Sequence, residues 1–482
     1  MKKTYFIYSL LLLTGIVNLV SCDHELDINV DPDLLTPELI PMSAELPTAQ
    51  TGIAAAAGTY FAIPGGFWSQ FWTQSAVANQ YRIYDNYSAT SSSTLFNDGW
   101  SQIYDALTDI RNIKTTAGVD SNWNYYLIAS TLEAYAFQLL IDFYGSVPYT
   151  DANNTAILAP TFQSAEEVYD LMVADLKEAL SKNLADSPLD NVPGETDLLF
   201  GGDMQKWTQF ANTLLLRLYL RQSNARPQVA STGVTELINS GASFLDESAA
   251  ITQFVDEASR SNPLYENEKR QLNVGTNLRA SNTMGSFLEA STDPRLTEFY
   301  DGNTFQLQGD FDDGSGDASV VVLHATDPFY FISEAESKFL QAEAHVRYFD
   351  GGNSQNLYEE GVLAAFAQFG LDGSGLLATN YAYPADTDEE VNIKAIITQK
   401  WVSLYPGNGF EAFIEHNRTG YPAISPVGGD DNSYVPGEFT YSVEGTTGGL
   451  FPRRFLFPQE EAQRNPNTPA QVPLTEKVWY AN

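Results

Sequence analysis

The chain has 482 residues, with 61 Asp and Glu against 25 Lys and Arg, a formal net charge of −36, one cysteine and 13% aromatic residues. This balance excludes a protein that tracks nucleic-acid phosphates, which needs clustered Lys and Arg, and it excludes a basic amphipathic helix lying on an anionic membrane. A single thiol excludes an intramolecular disulfide and a thiolate-clustered metal site.

The N-terminal stretch carries Lys2 and Lys3, an apolar run from Tyr5 to Val20 and small residues before Cys22, the pattern of a secretory leader. Spanning a bilayer takes about 20 apolar residues, and this run is shorter and is interrupted by Ser9, Thr14 and Asn18. Leu19-Val20-Ser21-Cys22 resembles the bacterial lipobox. The expectation is removal of residues 1–21 and lipidation of Cys22, each buried CH₂ of the acyl chains contributing about 0.8 kcal/mol to anchoring. Residues 22–47, polar and punctuated by proline, read as a lipidated tether. Residues 48–482 read as one folded unit, because no low-complexity run or linker divides them.

Helical periodicity dominates that unit. Helices are expected at 52–62, 97–116 and 122–144. Ser164 and Glu167 form a capping box ahead of a helix to residue 182. Asp203 caps a helix whose stripe is Trp207, Phe210, Ala211, Leu214, Leu215 and Leu218, with its end placed near Arg226-Pro227. Further helices are expected at 281–290, at 333–350 behind Ser333 and Glu336, at 357–369, and at 388–405 up to Pro406-Gly407. Pairing 97–116 with 122–144, 164–182 with 203–224, and 333–350 with 357–369 gives a mainly α fold of stacked tetratricopeptide-like hairpins. The strict tetratricopeptide consensus is missing. Long loops at 64–96, 243–280, 301–328 and 420–482 form the other half, and their aromatic content argues against disorder.

Those loops hold the candidate ligand-binding residues. Trp68, Asn79, Gln80, Tyr81, Arg82 and Tyr84 interleave aromatic rings with amides and a guanidinium. A pyranose stacks its CH face on a ring and offers hydroxyls to such donors and acceptors. The spacing of Trp68, Phe71 and Trp72 is also that of a packed helix. Asn277 and Arg279 form a second candidate group, and Asn408, Glu411 and Arg418 a weaker third. Asp293 and Arg295 read as a structural turn. The acidic run Gly309 to Asp317 reads as a solvated turn, since position 314 lacks the third ligand of a calcium loop. The four histidines show no His-Glu-x-x-His pattern and the chain has no Gly-x-Ser-x-Gly elbow. The residues imply no cofactor and no metal. A carboxylate pair in a cleft leaves a glycosidase as the alternative, and a peptide-binding or scaffold role as a further one.

One set of pieces lies in fixed order along the chain: Cys22 followed by Asp23-His24-Glu25-Leu26-Asp27, then Asn29-Val30-Asp31-Pro32, Asp142-Phe143-Tyr144-Gly145, Arg217-Leu218-Tyr219-Leu220-Arg221, and Asp293-Pro294-Arg295-Leu296. It continues with Glu334-Ala335-Glu336, Ala342-Glu343-Ala344, Gln399-Lys400-Trp401, Arg418-Thr419-Gly420 and Pro452-Arg453-Arg454-Phe455. Together they resemble the SusD/RagB family of outer-membrane nutrient-binding lipoproteins. The acids after Cys22 are similar to that family's surface-export signal, without the lysine before them. The resemblance implies four tetratricopeptide-like hairpins and a loop half that carries the ligand site. It also implies a non-enzymatic protein, lipid-anchored and exposed at the outer membrane, that captures an oligosaccharide and delivers it to a SusC-like TonB-dependent transporter.

Overall fold

The computed structural model describes residues 40–272, 276–312, 316–384 and 387–481. Cys22, the leader and most of the expected tether lie outside the described residues, as do Asp313, Gly314 and Ser315 of the acidic turn. Among the described residues no helix is long and apolar enough to cross a membrane.

Helix α1 spans Met42–Ala56, so the expected tether is already helical before its boundary at residue 47. Pro47 sits inside this helix rather than ahead of it; only its own N–H is lost from the ladder. A π-helical stretch, Ala57–Phe61, leads straight into α2, Ala62–Trp68. Next come β1 (Trp72–Gln74), α3 (Asn97–Val119) and α4 (Trp123–Tyr144). The strands β2 (Ser146–Val147) and β3 (Gln163–Ser164) precede α5, Ala165–Leu180, which begins with the expected Ser164–Glu167 capping box. Asp203 caps α6, Met204–Arg221, with its carboxylate accepting from the Gln205 and Lys206 N–H groups.

The sequence reading leaves α7, Pro227–Asn239, unassigned. By sequence Pro227 reads as a stop, but at the first helical position a proline starts a helix, because its missing N–H would have no partner there. The chain continues through β4 (Ala249–Ile251), a second π-helical stretch (Glu266–Gln271), β5 (Leu278–Ala280), α8 (Asn282–Ala290) and β6 (Phe329–Ile332). It then forms α9 (Glu334–Tyr348), α10 (Ser354–Ala367), α11 (Glu389–Ser403) and α12 (Gly409–Thr419).

Among the described residues the fold is mainly helical, with three two-stranded antiparallel ladders, β1–β5, β2–β3 and β4–β6. The hairpins α3–α4 and α9–α10 form as expected. The pair α5 and α6 touch, but α5 packs chiefly on α4 and α6 on both α7 and α4. Helix α2 crosses α12 so closely that a Cβ on Gly65 would fall inside the backbone of Phe410; no larger residue fits there. Around that crossing Phe61, Trp68, Phe143, Phe413 and Phe455 form one aromatic cluster, with Phe143 and Phe455 centroids 4.1 Å apart. The final segment is therefore core as much as loop: Phe455, Phe457, Leu474 and Tyr480 are buried.

Candidate functional site

The helical side carries a buried ionic cluster. Arg221 on α6 pairs with Asp142 of α4 at 3.1 Å, with Glu411 of α12 at 2.7 Å, and with Glu415. Lys400 of α11 lies 3.3 Å from both Glu411 and Glu415 and 3.5 Å from Glu336 of α9. Arg217 reaches Glu336 at 3.2 Å, and Arg418 joins Glu343 at 2.7 Å to Glu415 at 2.6 Å. Burial pushes the Glu415 carboxyl up, but the guanidinium of Arg418 and the other nearby cations outweigh it and hold the group well below the usual range. Asp142, Arg217, Arg221, Glu336, Glu343, Lys400 and Arg418 come from the scattered motifs that carry the family resemblance, and Glu411 and Glu415 of α12 complete the set. Their convergence gives them a structural reason, a mutually neutralised charge cluster that fixes how five helices meet. It also corrects the placing of Glu411 and Arg418 in a ligand site: both are buried and fully paired. Asn408 likewise turns inward and donates to the Tyr330 carbonyl at 3.0 Å. Asp293 and Arg295 form a buried pair at 2.6 Å, with the guanidinium 4.0 Å over Phe366, as a structural turn requires.

On the loop side, β1 pairs with β5, setting Thr73 opposite Arg279 and Gln74 opposite Leu278. Residues on either side of the acidic turn run along the other side of β5, with bridges from Arg279 to Val320 and from Ser281 to Gln306. Two groups of candidates about 200 residues apart in sequence are thereby brought together. Four glutamines lock the arrangement, all with 2% exposure or less. Gln70 Nε2 donates to the Thr440 carbonyl at 2.6 Å, and its Oε1 accepts from Thr283 Oγ1. Gln74 Oε1 accepts from the Tyr81 N–H at 2.6 Å, and Gln306 Nε2 donates to the Gln74 carbonyl at 2.8 Å. Gln308 Nε2 donates to the Trp72 carbonyl at 3.1 Å and to Asp85. Burial pushes the Asp85 carboxyl up to about 7 against the pull of these donors and of Thr73. The amides of Gln70 and Gln74 thus hold backbone and face away from solvent.

The sequence-predicted ligand residues divide by depth. Trp68 and Tyr84 are core: the Trp68 indole donates to the Tyr84 carbonyl at 3.0 Å, and its ring packs on Phe413 and Phe455. Tyr84 packs between Phe67, Tyr81 and Phe96. Tyr81 is also buried, donating to Glu268 and accepting from Asn267 at 2.9 Å. Burial and the Glu268 carboxylate hold its phenol far above the usual range. Asn277 is buried, and Arg279 donates to the Ala318 carbonyl at 2.6 Å. Desolvation lowers the Arg279 guanidinium below its ordinary range.

The crest of the loop, around residues 77–80, faces water. Asn79 and Gln80 are exposed, beside Val77 at 69% exposure. Arg82 is half-buried, donating to the carbonyls of Ala76 and Ala78 at 3.0 Å each, with its guanidinium 4.5 Å over the Phe311 ring. Phe311 was read only as part of an acidic turn. Nothing in the local sequence distinguishes it, because its partner Arg82 is more than 200 residues away. The crest offers two amides, each with donor and acceptor, beside a guanidinium laid on an aromatic ring. This set suits hydroxyl-rich ligands.

The chain belongs to the SusD-like family, described as starch-binding and associating with the outer membrane, whose profile matches residues 42–442. A SusD homolog from Bacteroides uniformis superposes with a TM-score of 0.72 at 22% identity, over 91% of this chain and 99% of that one. A chitin-binding SusD homolog from Flavobacterium johnsoniae gives 0.73 at 22% identity, over 92% and 99%. A homolog from Bacteroides thetaiotaomicron gives 0.71 at 20% identity, over 92% and 99%. These likenesses concern the fold. A comparison with curated proteins finds no match.

Proposed function

We propose that this protein is an outer-membrane lipoprotein, anchored through Cys22, that binds oligosaccharide at the loop crest and delivers it to a SusC-like TonB-dependent transporter. The family match over residues 42–442 carries the reading. Supporting it are the chitin-binding relative with the same fold, the lipobox-like leader, and a crest whose amides and guanidinium suit sugar hydroxyls. Asn79, Gln80 and Arg82 make the contacts, while Tyr81, Asn277 and Arg279 shape the crest from below. The protein acts by binding, without turnover. Two carboxylates beneath the crest, Asp85 and Glu268, are buried and hydrogen-bonded.

A glycan and peptide array on the mature protein tests this reading, followed by calorimetry. Asn79→Ala with Gln80→Ala should weaken glycan binding about tenfold, the loss of roughly 1.4 kcal/mol expected when hydrogen bonds go. The melting temperature should stay within a degree or two, since both side chains are exposed. Peptide binding without glycan binding, or release of reducing ends from a bound glycan, would overturn the reading. Cys22→Ala should abolish incorporation of a palmitate analogue and release the protein from the membrane fraction.

A further inference from the structure

Both π-helical stretches among the described residues, Ala57–Phe61 and Glu266–Gln271, line the same cavity of about 530 Å³. That volume lies within the range of small-molecule sites. A π-helical turn inserts a residue into a helix, re-aims the side chains around it, and occurs mostly where a helix does something besides pack. Two such turns meeting at one hollow, distinct from the Asn79–Gln80 crest, mark it as built.

Its lining defines the chemistry of an occupant. Tyr60 and Phe254, both half-buried, supply aromatic surface. The Tyr60 hydroxyl and the amides of Gln102 and Gln271 line the hollow and make no hydrogen bond to another described residue. The charged groups are already matched: Arg260 pairs with Glu257 at 2.6 Å, and Glu266 accepts from the Ser259 N–H at 3.1 Å and faces Arg270 at 3.4 Å. A charged occupant would meet no unpaired countercharge. A neutral one with an apolar face and hydroxyls around its edge finds both of its needs, and a pyranose is such a molecule. The cavity is coupled to the crest through Asn267, which lines it and donates to the Tyr81 hydroxyl at 2.9 Å.

We infer that this cavity is a second carbohydrate subsite, separate from the crest and selective for neutral pyranosyl units held by Tyr60, Gln102 and Gln271. The inference rests on the glycan-binding reading above. Hydrogen exchange on the full mature protein with maltohexaose, cellohexaose and chitohexaose separates the two. The expected result is protection of peptides covering 54–62 and 263–271, retained in the Asn79→Ala, Gln80→Ala variant and lost in Tyr60→Ala, Gln102→Ala, whose affinity falls about tenfold. Should the Tyr60 change unfold the protein, Gln102→Ala alone, at a half-exposed position on α3, gives the same readout with a threefold loss. A hexaose that binds and protects only residues 76–84, or protection that survives both cavity variants, overturns the subsite and leaves the crest reading standing. Failure of all three hexaoses to bind the unaltered protein overturns both.

Discussion

The two halves of this molecule bury polar groups by different means. Where α4, α6, α9, α11 and α12 meet, the buried groups are full charges, most of them within reach of two or more opposite partners. In the loop half a network of neutral amides, Gln70, Gln74, Gln306 and Gln308, is spent on backbone carbonyls and N–H groups, beside a few buried ionisable groups such as Asp85 and Glu268. Charges suit the first place because helices satisfy their own backbones and meet through side chains. Irregular loops leave backbone groups unpaired, and an amide supplies both a donor and an acceptor to satisfy them. The ionic junction therefore fixes the scaffold, and the amide network fixes the shape of the loop surface.

The largest effect expected from breaking this contrast is in the junction. Arg221→Met leaves Asp142, Glu411 and Glu415 short of a cation in a site that water does not reach. Losing one partner of such a set costs about 3–5 kcal/mol, read as a drop in the urea midpoint. Adding Glu411→Gln should restore part of it. A loss below about 1 kcal/mol would show that the cluster behaves like a surface pair.

In the loop half Gln308→Ala removes the donor to the Trp72 carbonyl and to Asp85. The expected cost is about 1–3 kcal/mol for the groups left unsatisfied, with faster hydrogen exchange in residues 67–85 and 305–310. Unchanged exchange there would mean that the amide network does not hold the loops.

A smaller effect follows from pH. His416 in α12 is buried against Phe439 with ring centroids 4.4 Å apart, and burial lowers its imidazole to about 3. Its stabilising contribution is present above the unfolded value of 6.5 and is lost as pH falls toward 3, because the unfolded chain takes up the proton first. Asp85, raised to about 7, has the opposite sign: its contribution is present below 3.8 and is lost as pH rises through 7. Comparing His416→Phe with its parent at each pH isolates the histidine. The variant should lose less stability between pH 6.5 and 4, by up to about 1.4 kcal/mol per pH unit. Equal slopes would show that His416 takes up a proton while folded. The smallest effect on stability belongs to the Asn79→Ala, Gln80→Ala variant, which should change affinity alone.

Much of the scaffold was legible because its signals are local. Ser164 with Glu167, Asp203 and Ser333 cap their helices as read, since a cap and the N–H it satisfies lie within three residues. Pro227 misled because a proline that ends one helix and a proline that begins the next look alike until the chain's direction is known. The candidate site was legible as two segments and not as a surface.

By itself, the sequence determined that the chain is an acidic, mainly helical protein with aromatic-rich loops, because composition and helical period are properties of short windows. Only the tertiary structure decided which of the candidate residues are core and which reach the surface. Trp68 and Tyr84 are buried by Phe413, Phe455 and Phe96, whereas Asn79 and Gln80, a few residues away, stand in water. The burial of Trp68 is conferred by neighbours hundreds of residues distant, which no local window contains.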